Sequence, residues 1–154
     1  MTGYNLEDEF IARTERNLKI IEDLAIQGEE VYEVTQLINS LLGLLVFPKE
    51  RWLSKVPAID RNKLEMDGWP LPEEEISQFG NLQDLLKKMR NAVAHFDIEL
   101  ILGKDEIVGI QFKDSNSRGQ ETRNLTWSGK FRVDSLRKFL YKLLDQLKTV
   151  EPRG

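Results

Sequence analysis

Along this 154-residue chain the spacing of apolar residues changes abruptly after residue 95. That change limits the fold more than any other feature. Before it, apolar side chains recur every three or four positions. Phe10, Ile11, Leu18, Ile21 and Leu24 predict a helix over residues 6–25. Val31, Val34, Leu37, Ile38, Leu41, Leu42 and Leu45 predict a second over 29–46, the most apolar of all and so expected to sit centrally. Leu82, Leu85, Leu86, Met89 and Val93 predict a third over 82–95. Then the period shortens. IELIL, EIVGIQFKD and ETRNLTWSGKF predict strands over 98–102, 106–113 and 122–131, joined by polar turns. The longer period returns over 133–149 with Val133, Leu136, Leu140, Leu143, Leu144 and Leu147. Asp134 near the start of that helix and Lys148 near its end suit its macrodipole. Residues 48–80 carry Pro57, Gly68, Pro70, Pro72 and Gly80 and read as an irregular connection, with room for a helical turn in PEEEISQFG. The expected fold is mainly α. One domain over 1–154 holds an up-and-down four-helix bundle with a small antiparallel β insertion before the last helix.

Several function classes drop out. There is no cysteine and only one histidine, so a zinc site is not expected and thiolate chemistry is absent. No phosphate-binding glycine loop, dinucleotide-binding turn or nucleophile elbow occurs. The acidic start, MTGYNLEDEF, does not read as a secretory signal, and the run LLGLLVF at 41–47 is too short to cross a bilayer. A cytoplasmic protein without a membrane partner is expected. Net charge is −4, which argues against a generic nucleic-acid binder. The charge is uneven, however. Residues 1–79 hold 8 basic and 16 acidic side chains, and residues 80–154 hold 14 and 10. An acidic half joined to a basic half can still present a local phosphate-attracting surface.

The single histidine stands in MRNAVAHFDIEL. His95 and Asn91, four apart, share a helix face, whereas Arg90 lies about 100° around the helix from Asn91. Two readings stay open. His95 closes a helix, or it forms half of a catalytic pair with Arg90. Imidazole and guanidinium are together sufficient to cleave RNA without metal. Imidazole exchanges the proton of a ribose 2′-OH or of the leaving oxygen. Guanidinium holds the phosphate. Thr35 and Asn39 form a polar i, i+4 pair in the apolar second helix, placed either to line a cleft beside His95 or to satisfy each other in the core. Lys87 and Lys88, with Arg137, Lys138 and Lys142, either guide phosphates or form solvated faces. Trp52, Trp69 and Trp127 are candidate base-stacking or core residues.

RNAVAH resembles the R-x4-6-H signature of the HEPN superfamily, with Asn91 as the polar residue that follows the arginine. YEVTQLINSLLGLLVFP resembles the second helix of a bacterial HEPN family related to toxin nucleases. The resemblance runs from Phe10 to the last helix. It implies a dimeric helical bundle with the motifs of two protomers meeting in one cleft. It also implies metal-independent RNA cleavage to a 2′,3′-cyclic phosphate and a 5′-OH, with no cofactor. Carried over, Arg90 binds the scissile phosphate, His95 is general base or acid, and Asn91 orients the ring or contacts the phosphate. The implied partners are RNA, a second copy, and an antitoxin of the nucleotidyltransferase type in a toxin or defence setting. The rival reading is a non-catalytic HEPN module that dimerises, or binds nucleotide or RNA, within a larger assembly.

Overall fold

The computed structural model describes residues 6–46, 55–116 and 124–149. Helices α1 (Leu6–Ile26) and α2 (Glu33–Val46) come first. A short helix, α3 (Arg61–Met66), and a strand, β1 (Glu73–Glu75), lie in the connection. Helix α4 (Leu82–Ala94) precedes β2 (Ile98–Leu102), β3 (Ile107–Asn116) and β4 (Asn124–Arg132). Helix α5 (Val133–Thr149) ends the described chain.

This architecture corrects the expected fold class. The protein is a mixed α/β fold, with a four-stranded sheet beside its helices, and not a four-helix bundle with a small insertion. The strands form one antiparallel sheet in the order β1–β4–β3–β2. Its fourth strand comes from PEEEISQFG, where the sequence left room for a helical turn. Glu73, Glu74 and Glu75 instead pair with Lys130, Gly129 and Ser128. Three successive glutamates carry no apolar period, and their partner strand lies far along the chain. Only the fold brings the two together.

Nor is the sheet an appendage. One face carries Ile110, Phe112, Trp127 and Phe131, all buried in the common core. Helix α4 packs across β3, and α5 packs on β3 and β4. On their far side α2 packs against α4 and α5, and α1 against α5. Helices α4 and α5 thus lie between the sheet and the α1–α2 hairpin. Phe131 joins the layers, meeting the Phe112 ring at 6.2 Å and the Phe139 ring of α5 at 5.2 Å. Such ring pairs contribute roughly 0.5–1.5 kcal/mol each beyond burial. The opposite face is charged, with Lys113 paired to Glu99 at 2.9 Å and Lys130 to Glu73 at 3.8 Å. One apolar face and one charged face is the usual division of a one-sided antiparallel sheet.

One cluster ties the connection to this sheet. The Trp127 indole lies across Gly129, where a Cβ would come within 2.4 Å of ring atom Cζ2, so only glycine fits. That placement brings the indole N–H to the Glu74 carboxylate, which also accepts from the Arg61 guanidinium and, at 2.8 Å, from the Phe79 backbone N–H. The Arg61 guanidinium in turn covers the Phe79 ring at 4.5 Å.

A second cluster joins α1 to α5. The Tyr141 hydroxyl donates to Glu22 at 2.5 Å, and Arg137 donates to the same carboxylate at 2.9 Å. Burial first, then the accepting Glu22 carboxylate, raises the Tyr141 phenol above its ordinary range, against the opposing charge of Arg137. Because the folded state favours the protonated phenol, its contribution to stability is complete below the usual tyrosine range near pH 10. It is lost as pH rises through the elevated folded value. Tyr141→Phe is therefore expected to leave the 295 nm absorbance rise near pH 10 unchanged. A smaller rise in the variant would show that Tyr141 titrates like an exposed tyrosine.

Candidate functional site

Helix α4 begins at Asn81, whose side chain accepts from the Asp84 N–H at 2.9 Å. Asp84 reaches back to the Gly80 N–H at 2.9 Å. This reciprocal arrangement satisfies two donors at the helix start. Leu82, Leu85, Leu86, Met89 and Ala92 form the buried face. Arg90 and Asn91 are half-buried at its margin, and Lys87, Ala94 and His95 are exposed. Lys88 is held to Asp84 at 3.3 Å.

Among the described residues, the side chains of Arg90, Asn91 and His95 have no hydrogen-bond or ion-pair partner. Elsewhere Arg61 is committed to Glu74 and Arg137 to Glu22. A half-buried guanidinium without a carboxylate is free to hold an anion. Five residues of helix separate Arg90 from His95 by about 140° of rotation, so one α4 does not aim both at one point.

The helix ends on His95, whose backbone N–H donates to the carbonyls of Asn91 and Val93. The cap is thus made by backbone and leaves the imidazole outside. The next residue, Phe96, takes a left-handed conformation, φ 59°, and its side chain is 91% exposed. Its N–H donates to the Val93 carbonyl at 3.1 Å, and the Asp97 N–H donates to the Ala92 carbonyl at 2.8 Å. These are the two bonds of a Schellman turn. The Asp97 carbonyl then accepts from the Lys113 N–H at 2.9 Å, which anchors the turn to β3.

The remaining candidates divide. Thr35 and Asn39 are exposed on α2, which packs on α4, so they do not satisfy each other in the core. No hydrogen bond joins either to α4 among the described residues. Arg137 is also close to Asp134 and Glu33, and Lys142 donates to the Asp67 carbonyl at 2.7 Å, so both of these cations are engaged in structure. Lys138 is exposed. These three line an open cavity of about 360 Å³ with Gly68, Tyr141 and Asp145. Trp69 and Trp127 are core residues, and Trp52 lies outside the described residues. Among the described residues no group of three or more His, Asp or Glu side chains is placed to hold a metal, and no helix is long and apolar enough to cross a membrane.

A sequence-family model described as HEPN pEK499 p136 matches residues 1–153. The chain belongs to this HEPN family. No curated protein matches the sequence, and no solved structure matches it. In this HEPN domain the arginine and histidine sit on the last turns of α4, with the sheet docked against the same helix. Sequence reasoning missed Phe96. It stands three residues after Val93 and so continues the apolar spacing, which marks a core position. The helix stops at Ala94, and the left-handed turn throws the ring into solvent.

Proposed function

We propose that this HEPN protein is a metal-independent RNA endonuclease acting as a homodimer. The observation that carries this reading is the set of uncommitted side chains at the end of α4, Arg90, Asn91 and His95. Two α4 helices facing each other bring an arginine of one protomer to a histidine of the other, which answers the 140° separation within one helix. The 2′-OH of the ribose attacks the adjacent phosphorus. The bond from phosphorus to O5′ breaks, leaving a 2′,3′-cyclic phosphate and a 5′-OH. His95 accepts the 2′-OH proton or protonates O5′. Arg90 holds the non-bridging oxygens and offsets the charge that develops on them. Asn91, on the face of His95, orients the imidazole or contacts the phosphate. Exposed Lys87 draws the RNA backbone towards the cleft, with Thr35 and Asn39 beside it on α2.

End-labelled RNA incubated with the protein in excess EDTA is expected to give fragments ending in a cyclic phosphate, and Arg90→Ala to give few or none. Cleavage that requires a divalent ion, or that Arg90→Ala leaves intact, overturns the reading. Binding of RNA or nucleotide without cleavage favours the non-catalytic module.

A further inference from the structure

Three helices of this chain close on the same turn. Helix α1 ends with Gly28 donating to Ala25 at 3.1 Å and Glu29 to Leu24 at 3.0 Å. Helix α3 ends with Gly68 donating to Glu65 at 3.1 Å and Trp69 to Leu64 at 3.0 Å. Helix α4 ends identically, with Phe96 and Asp97. The left-handed residue is glycine in the first two, at φ 86° and 82°, and phenylalanine in the third, at φ 59°. Glycine takes this conformation freely, whereas a bulky side chain there is strained. Phe96 recovers nothing by packing, since its side chain is 91% exposed. Nothing in the described monomer offsets this strain, which leaves the ring available to a ligand.

The observations favour a nucleobase. In the chain the ring stands between polar His95 and Asp97, and a base needs one ring to stack on where an apolar protein surface needs a contiguous patch. It leaves the Cα next to that of His95, about 3.8 Å along the backbone. A phosphate at the imidazole thus places a neighbouring base within reach of the ring. The backbone of the turn is bonded to both α4 and β3, which fixes where the Phe96 Cα stands. We infer that Phe96 stacks on an unpaired base beside the scissile phosphate and makes single-stranded RNA the preferred substrate. This inference rests on the ribonuclease reading for its substrate. Phe96 acts as a positioning residue, since the proton transfers belong to His95.

Stacking of one base makes a difference of roughly tenfold or more in binding. Phe96→Gly is expected to raise KM for a single-stranded oligonucleotide about tenfold with little change in kcat, and Phe96→Leu to behave likewise. Phe96→Tyr is expected to retain the wild-type KM. Because glycine relieves the left-handed strain, Phe96→Gly is also expected to raise Tm by about 2–4 °C. Stability and substrate binding then move in opposite directions, which a purely structural residue does not allow. A second readout is independent of cleavage. In Phe96→Trp the added indole fluorescence is expected to be quenched, saturably, by single-stranded 2′-O-methyl oligouridine and not by a duplex.

If the protein cleaves RNA, yet the Phe96 variants keep their KM and the indole is not quenched, the inference fails while the ribonuclease reading stands. Quenching without cleavage by wild type retains the stacking site and removes the ribonuclease. Absence of both overturns both. A change of oligomeric mass in Phe96→Gly with unchanged RNA handling also overturns the inference and assigns the ring to a second copy.

Discussion

His95→Ala is expected to slow RNA cleavage by about 10²–10⁴-fold, the range for loss of a general acid or base. The fold does not confound this test. His95 is exposed, its cap bonds are made by backbone, and its ring touches no described hydrogen-bond partner. Stability should stay within about 0.5 kcal/mol of wild type, as for surface substitutions in general. A variant that loses cleavage and Tm together would point to a structural histidine. The paired-helix arrangement makes a sharper demand. Arg90→Ala and His95→Ala chains, each inactive, are expected to regain up to roughly one quarter of wild-type activity when mixed and allowed to exchange. Half of the randomly formed dimers are mixed, and each of these rebuilds one intact site of two. If both residues act from the same protomer, mixing restores nothing.

The largest stability effect is expected at Glu74. Its carboxylate is 3% exposed and serves three donors: the Arg61 guanidinium, the Trp127 indole and the Phe79 N–H. Glu74→Ala removes all three bonds at once. Truncating one member of a buried charge pair costs about 3–5 kcal/mol, mostly because the remaining groups stay desolvated and unpaired. For a chain of this size that corresponds to a fall in Tm of about 10 °C, to be read by calorimetry or circular dichroism. A fall of only a degree or two would mean that water replaces the carboxylate, and that the connection contributes little to the sheet.

These results separate what local pattern can convey from what it cannot. The spacing of Val133, Leu136, Leu140, Leu143, Leu144 and Leu147 marks an amphipathic helix, and α5 buries the five leucines together with Phe139. Helical and strand periods are short-range properties, so single stretches reveal them. The RNAVAH run named Arg90, Asn91 and His95 as the chemically capable group for the same reason, since their types and spacing are local. Helical spacing also places Arg90 and His95 on different sides of α4, whereas the point at which the helix stops is set by the turn at Phe96.

The balance between bundle and sheet was out of reach of local pattern. Strand β1 carries only glutamates in its three positions, and β4, its partner, lies beyond α4 and two further strands. Nothing within Glu73–Glu75 specifies extended backbone. Pairing with Lys130, Gly129 and Ser128 supplies that, and the demand of Trp127, Arg61 and Phe79 for one carboxylate holds it there. The same holds for Phe96. Its spacing continues the apolar face of α4, and only the turn that docks Asp97 onto β3 carries the ring outward. From residues alone this chain declares its four longer helices, its three longer strands and its one arginine–histidine pair, because each is a short-range signal. The mixed architecture and the exposed ring beside the histidine come from contacts between distant segments, whose free energy no single segment contains.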